Sequence, residues 1–126
     1  MKRQQCSVVT ADEVFAINEN VRWVGLVSAK GDVIFSKMRA GTKSATSQEF
    51  DEEFLQLGPL TLLGVAEKYS PHLLELESIA ACYGSMTHVY ARLGAQVIVI
   101  ATENRERALS DVRKWIKKKR AILRGW

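Results

Sequence analysis

The chain has 126 residues, 47% hydrophobic and 25% charged, a balance that supports one globular domain with its own core and excludes disordered or collagen-like classes. Its longest apolar stretches, residues 58–66 and 95–101, are interrupted by Thr61 and Gln96 and fall well short of a membrane span; the basic start, Met1 to Cys6, leads into no apolar signal core, so a cytoplasmic location is expected. Seven basic residues and no acid lie between Val112 and Trp126, and removing those seven from the net charge of +4 leaves about −3 on residues 1–111, so bulk charge gives no argument for a nucleic-acid binder.

Thr10 and Glu13 have capping-box spacing, which predicts a short helix with Val14 and Ile17 on its apolar stripe, ending near residues 18–20. Residues 21–28 are rich in β-branched and aromatic side chains, residues 29–32 contain Gly31 and Asp32, and residues 33–38 resume strand composition, which together predict a β-hairpin. After a loop over 39–44, Thr46 and Glu49 repeat the capping box. Phe50, Phe54 and Leu57 follow at i, i+4 and i+7, one face of a helix. Gly58-Pro59 is predicted to kink or break that helix, because proline lacks a donor and clashes with the preceding turn. Leu62, Val65, Ala66 and Tyr69 continue the stripe, and Ser70-Pro71 is predicted to end it.

Three strand-like runs follow, over 76–83, 86–92 and 96–102. The connections Gly84-Ser85 and Leu93-Gly94-Ala95 are short enough to join antiparallel neighbours, a meander. From about Asn104 a helical period returns, with Val112, Trp115, Ile116, Ile122 and Leu123 on one side and most of the basic residues on the other. The element order is α-β-β-α-β-β-β-α in an α+β chain, read as one domain over 1–126 with its core over about 11–118 and a basic C-terminal helix.

That order, together with residues 21–41 (VRWVGLVSAKGDVIFSKMRAG) and 94–101 (GAQVIVIA), resembles the roadblock/longin, profilin-like group. It is most similar to roadblock-type domains and to small archaeal proteins of that pattern. The resemblance implies a five-stranded antiparallel sheet flanked by helices. The chain departs from the pattern at Gly58-Pro59, inside the long helix, and in its basic tail.

Few residues invite chemistry. Gly41-Thr42-Lys43-Ser44 lacks the adjacent Gly-Lys and the earlier glycine of a phosphate-binding loop. Cys6, Cys82, His72 and His88 lack the paired spacing of a zinc site. A two-residue turn at Gly84-Ser85 would set Cys82 opposite Thr87 and His88 opposite Ala81, with Cys82 and His88 on opposite faces of the sheet. The cysteines are read as free thiols, Cys82 as a small strand hydrophobe, and His88 as a partly buried, hydrogen-bonded side chain. Asp51, Glu52, Glu53, Glu75 and Glu77 are the acids nearest to an acid–base set, but Glu49, Glu52 and Glu53 share what a helix would make a solvated face, and no G-x-S-x-G nucleophile motif is present. No catalytic, cofactor or metal residue is assigned.

Arg113, Lys117, Arg120 and Arg124 form an i, i+4, i+7, i+11 row on the last helix. The simplest reading is a solvated cationic face that complements the helix dipole. Contact with an anionic membrane or a nucleic-acid backbone is the alternative.

The resemblance implies a non-enzymatic module that forms dimers and acts as a platform for a small Ras-like GTPase. Its working surfaces would be the long-helix face (Phe54, Leu57, Leu62) and the third strand (Leu76, Ile79, Ala81, Tyr83), which pairs across the dimer in such domains. Beyond Glu77 that strand carries no charge, so an exposed edge there would call for a cover. A second reading is a small-molecule sensor with a pocket near Trp23, Tyr83 and Tyr90. A third is an adaptor that uses the basic tail.

Overall fold

Thr10 caps the first helix as its spacing predicts: its side chain accepts from the Glu13 amide, and the Glu13 carboxylate accepts from the Thr10 amide. The computed structural model describes residues 6–42 and 46–124. In chain order the elements are α1 (Ala11–Phe15), β1 (Val21–Val27), β2 (Val33–Met38), α2 (Gln48–Ala66), a 3-10 turn (Glu67–Tyr69), α3 (Ser70–Leu73), β3 (Ile79–Cys82), β4 (Met86–Leu93), β5 (Gln96–Glu103) and α4 (Glu106–Leu123). The order is the one expected, with the short α3 added.

The five strands form one antiparallel sheet in the order β2-β1-β5-β4-β3, so β2 and β3 are its edges. Central β5 is buried from Gln96 to Thr102, and it reads as a continuous apolar run because helices cover both of its faces. Gly94, at φ +63°, makes the tight turn between β4 and β5, a backbone state that other residues adopt at a cost.

Strand alternation sorts the core into two layers. Val24, Leu26, Val89, Ala91, Ile98 and Ile100 pack with Val14 of α1 and Val112 and Ile116 of α4. Trp23, Val27, Tyr90, Val97, Val99 and Ala101 pack with Leu55 and Leu63 of α2.

Several boundaries differ from expectation. The first helix stops at Phe15 rather than near residue 18. The Arg39 guanidinium takes the carbonyls of Phe15 and Asn18, at 2.6 and 2.9 Å, and the Asn18 side chain turns the chain by accepting from the Asn20 amide. Helix α2 runs unbroken through Gly58-Pro59. Pro59 lies buried on the inner row with Leu55 and Leu63, and burying each leucine contributes roughly 1.5–3 kcal/mol against a proline penalty of about 3. Gly58 leaves room for the Phe54 ring, which a Cβ at that position would meet at 2.9 Å.

Ser70-Pro71 does not end the helical segment. It opens α3, where a proline in the first turn forfeits no hydrogen bond. The third strand is shorter than residues 76–83, because the Leu76 and Glu77 carbonyls accept from Arg120 instead of joining a ladder. On α4, Ile122 sits at the margin of the apolar stripe and is exposed, while Trp115 and Leu123 pack against the core.

Candidate interaction surface

Helix α2 carries more apolar residues than one sheet face can cover. Leu55, Pro59 and Leu63 point inward. Phe50, Leu57, Leu62 and Val65 are exposed, and the stripe continues through Tyr69 and Leu73 beyond the helix; Leu57 is 74% exposed. Of the residues expected at an interface, Leu57, Leu62 and Tyr83 lie on the surface, whereas Phe54, Leu76, Ile79 and Ala81 pack partly buried against the layer beneath α2. Phe50, Val65, Tyr69 and Leu73 enlarge the surface beyond the expected set. Their signal in the sequence is that the segment is apolar on more than one helical face.

Edge strand β3 pairs with β4 in the expected register, Ala81 opposite His88 and Cys82 opposite Thr87. Ile79 and Ala81 face α2. Ala80 and Cys82 face the other way and are exposed, so Cys82 is a free surface thiol rather than a packed strand hydrophobe.

Where β3 meets α2, Tyr83 stands 57% exposed with its ring edge-on to His88, 5.1 Å between centroids. Trp23, Phe54 and Tyr90 complete the ring cluster around His88, at 6.1, 6.2 and 6.4 Å. Among the described residues the buried His88 Nδ1 has no hydrogen-bond partner, contrary to the expected hydrogen-bonded histidine. Burial holds the His88 pKa below its usual value, and the Asp51 charge opposes that shift. Burial, with Tyr83 adding to it, pushes the Tyr90 phenol up to about 12.

The basic row on α4 is not a uniformly free face. Arg120 donates to the Leu76 and Glu77 carbonyls, each at 2.7 Å, and both Arg120 and Arg124 pair with Glu75. Hydrogen bonding from Arg124, with Arg120 adding to it, holds the Glu75 carboxyl below its usual value. Lys117 reaches Glu77 at only 3.9 Å, with both side chains exposed. Among the described residues Arg113, Lys114 and Lys118 are exposed and make no ion pair. Lys119 turns back to Glu13 at 3.1 Å.

Two concave surfaces lie away from the expected sensor site. A groove of about 1050 Å³ runs between residues 73–78 and α4, and a smaller depression of about 260 Å³ adjoins it at Glu67, Arg92 and Leu123. Trp23, Tyr83 and Tyr90 line neither. Trp23 and Tyr90 are core residues, and the Trp23 Nε1 donates to the Ser36 hydroxyl at 3.0 Å. Among the described residues no three His, Cys, Asp or Glu side chains gather as metal ligands, and no helix is long and apolar enough to cross a membrane. Lys43 and Ser44 of the glycine loop lie outside the described residues, as does Trp126.

No protein-family model matches the chain, and a search of curated proteins finds no match. Solved structures do match in shape. The gliding protein MglB from Thermus thermophilus superposes with a TM-score of 0.64 at 14% identity, covering 89% of this chain and 83% of its own. A roadblock/LC7 domain from Streptomyces avermitilis gives 0.61 at 11% identity, covering 92% and 99%. An MglB structure with a tetrameric arrangement gives 0.62 at 11%, covering 90% and 84%. At such identities the likeness is one of fold.

Proposed function

We propose that this chain, which has the roadblock/LC7 fold, is a non-enzymatic interaction module that associates with itself through the outer face of α2 and edge strand β3, and presents the assembly to a small Ras-like GTPase. The observation that carries this reading is the set of exposed apolar side chains on the outer side of α2, together with an edge strand, β3, that carries no charged residue. Large apolar side chains left in water in such number favour an interaction site, and an open edge is a template for a second chain. The tetrameric arrangement of an MglB with the same fold is in keeping with self-association. The GTPase part rests on the family resemblance of the sequence.

A tagged pull-down from the native lysate, run in parallel with GDP and with a non-hydrolysable GTP analogue, tests the partner. A stoichiometric small GTPase retained in one nucleotide state is the expected result. Recovery of the bait alone in both arms would contradict the platform role and leave self-association to be judged on its own.

A further inference from the structure

From the groove between residues 73–78 and α4 we infer a second docking site, one that takes an acidic, leucine-bearing segment of a partner protein. The inference is independent of self-association.

The groove is long and open. On the helix side the groove is lined from Glu106 to Arg124, the whole length of α4 and about 27 Å at 1.5 Å per residue. An open trough of that length suits an elongated stretch of chain better than a metabolite, which sits in a more enclosed pocket.

Its lining is partly apolar. Leu73 and Leu74 stand 71% and 83% exposed at one wall, with Leu109 and Ile116 below. Leu74 has φ +70° and ψ −168°, a backbone state that is nearly the preserve of glycine. The contacts that hold the chain there lie just beyond it: Glu75 is gripped by Arg120 and Arg124, and the Leu76 and Glu77 carbonyls are held by Arg120. The segment is thus pinned in a shape that keeps an uncovered leucine at the groove wall.

Charge selects the occupant. Arg120 and Arg124 are engaged with the pinned segment, but Arg113 and Lys114 on the opposite wall have no anionic partner among the described residues. The Lys117–Glu77 pair, exposed and 3.9 Å apart, neutralises little. Five cationic side chains line the groove against the three acids Glu75, Glu77 and Glu106. Acidic residues that flank leucines would meet the free cations while the leucines cover Leu74. A bilayer, being flat, would touch the rim and leave the trough empty. A single-stranded nucleic acid would want aromatic stacking surfaces, and among the described residues no aromatic side chain lines this groove.

The test is fluorescence anisotropy on the full chain, with a labelled synthetic helical peptide of about 18 residues, matched to the length of α4, carrying leucine on one face and glutamate elsewhere. A control peptide replaces every glutamate with lysine. The acidic peptide is expected to bind and the basic one not. The double variant Arg113→Glu/Lys114→Glu should weaken binding about tenfold or more with unchanged circular dichroism, and Leu74→Gly, which relieves the backbone strain, should weaken it while keeping the fold. Absence of binding, or equal binding by both variants, overturns the inference. So does sedimentation with phosphatidylserine vesicles without peptide binding, which would assign the cations to a lipid surface. A changed sedimentation mass for the double variant would also overturn it, and would assign the groove to a second copy.

Discussion

Gly25 of β1 lies directly beneath Leu55 of α2: a Cβ built on the glycine would sit 2.7 Å from both Leu55 methyl groups. The helix approaches the sheet closely at this point, and it can do so because β1 presents no side chain there. Gly25→Ala is therefore expected to destabilise the chain by about 1–3 kcal/mol through overpacking. In urea unfolding, combining it with Leu55→Ala should cost less than the sum of the two changes, the coupling of residues in contact. Additive costs would show that the two do not touch.

Arg120 joins α4 to the segment before the edge strand by two backbone carbonyls and Glu75. Arg120→Ala should lower stability by about 1.5–3 kcal/mol, the range for hydrogen bonds to a charged group. Arg113→Ala, which breaks no ion pair, should stay within about 0.5 kcal/mol. Urea midpoints compare the two, and hydrogen exchange should show faster opening across residues 76–79 in the first variant alone.

His88 gives the protein a dependence on pH whose sign is fixed by burial. Its pKa is held below the ordinary value of 6.5, so as pH falls through that value the unfolded chain takes up a proton that the folded chain does not. The stability is fully present above the unfolded pKa and is lost as pH falls from 6.5 toward the lower folded value. The charged group that opposes this is Asp51 on α2, and the titratable neighbours on the sheet side are Tyr83 and Tyr90. His88→Phe should flatten the melting temperature between about pH 7 and pH 5 relative to the native chain. An unchanged slope would place the pH dependence elsewhere.

Most of the architecture is legible in the sequence. The capping box at Thr10 and Glu13 marks the first helix, whereas α2 is capped by Ser47, which accepts from the Phe50 amide, one position past the expected Thr46; the two-residue turn at Gly84-Ser85 is enough to fix the pairing of Ala81 with His88. Other features are tertiary and leave no local signal. Pro59 stays inside a helix because its ring is buried against the sheet. The third strand shortens because Arg120, more than forty positions away, captures its carbonyls. The cationic row reads as one periodic face, yet its members divide between a pinned segment and free solvent, a division set by Glu75 and the Leu76 and Glu77 carbonyls. On α2 the residue types are plain, but which apolar residues turn outward follows from where the sheet lies.

Self-association as proposed puts the outer face of α2 and the β3 edge between copies of the chain. Sedimentation equilibrium of the native chain beside Leu57→Glu/Val65→Glu tests it most directly, since both leucine and valine are exposed and the charges should leave the fold intact. The native chain is predicted to sediment at the mass of two chains or more, and the variant at the mass of one. A native chain that stays at single-chain mass as concentration rises, or a variant that associates as the native chain does, would contradict it.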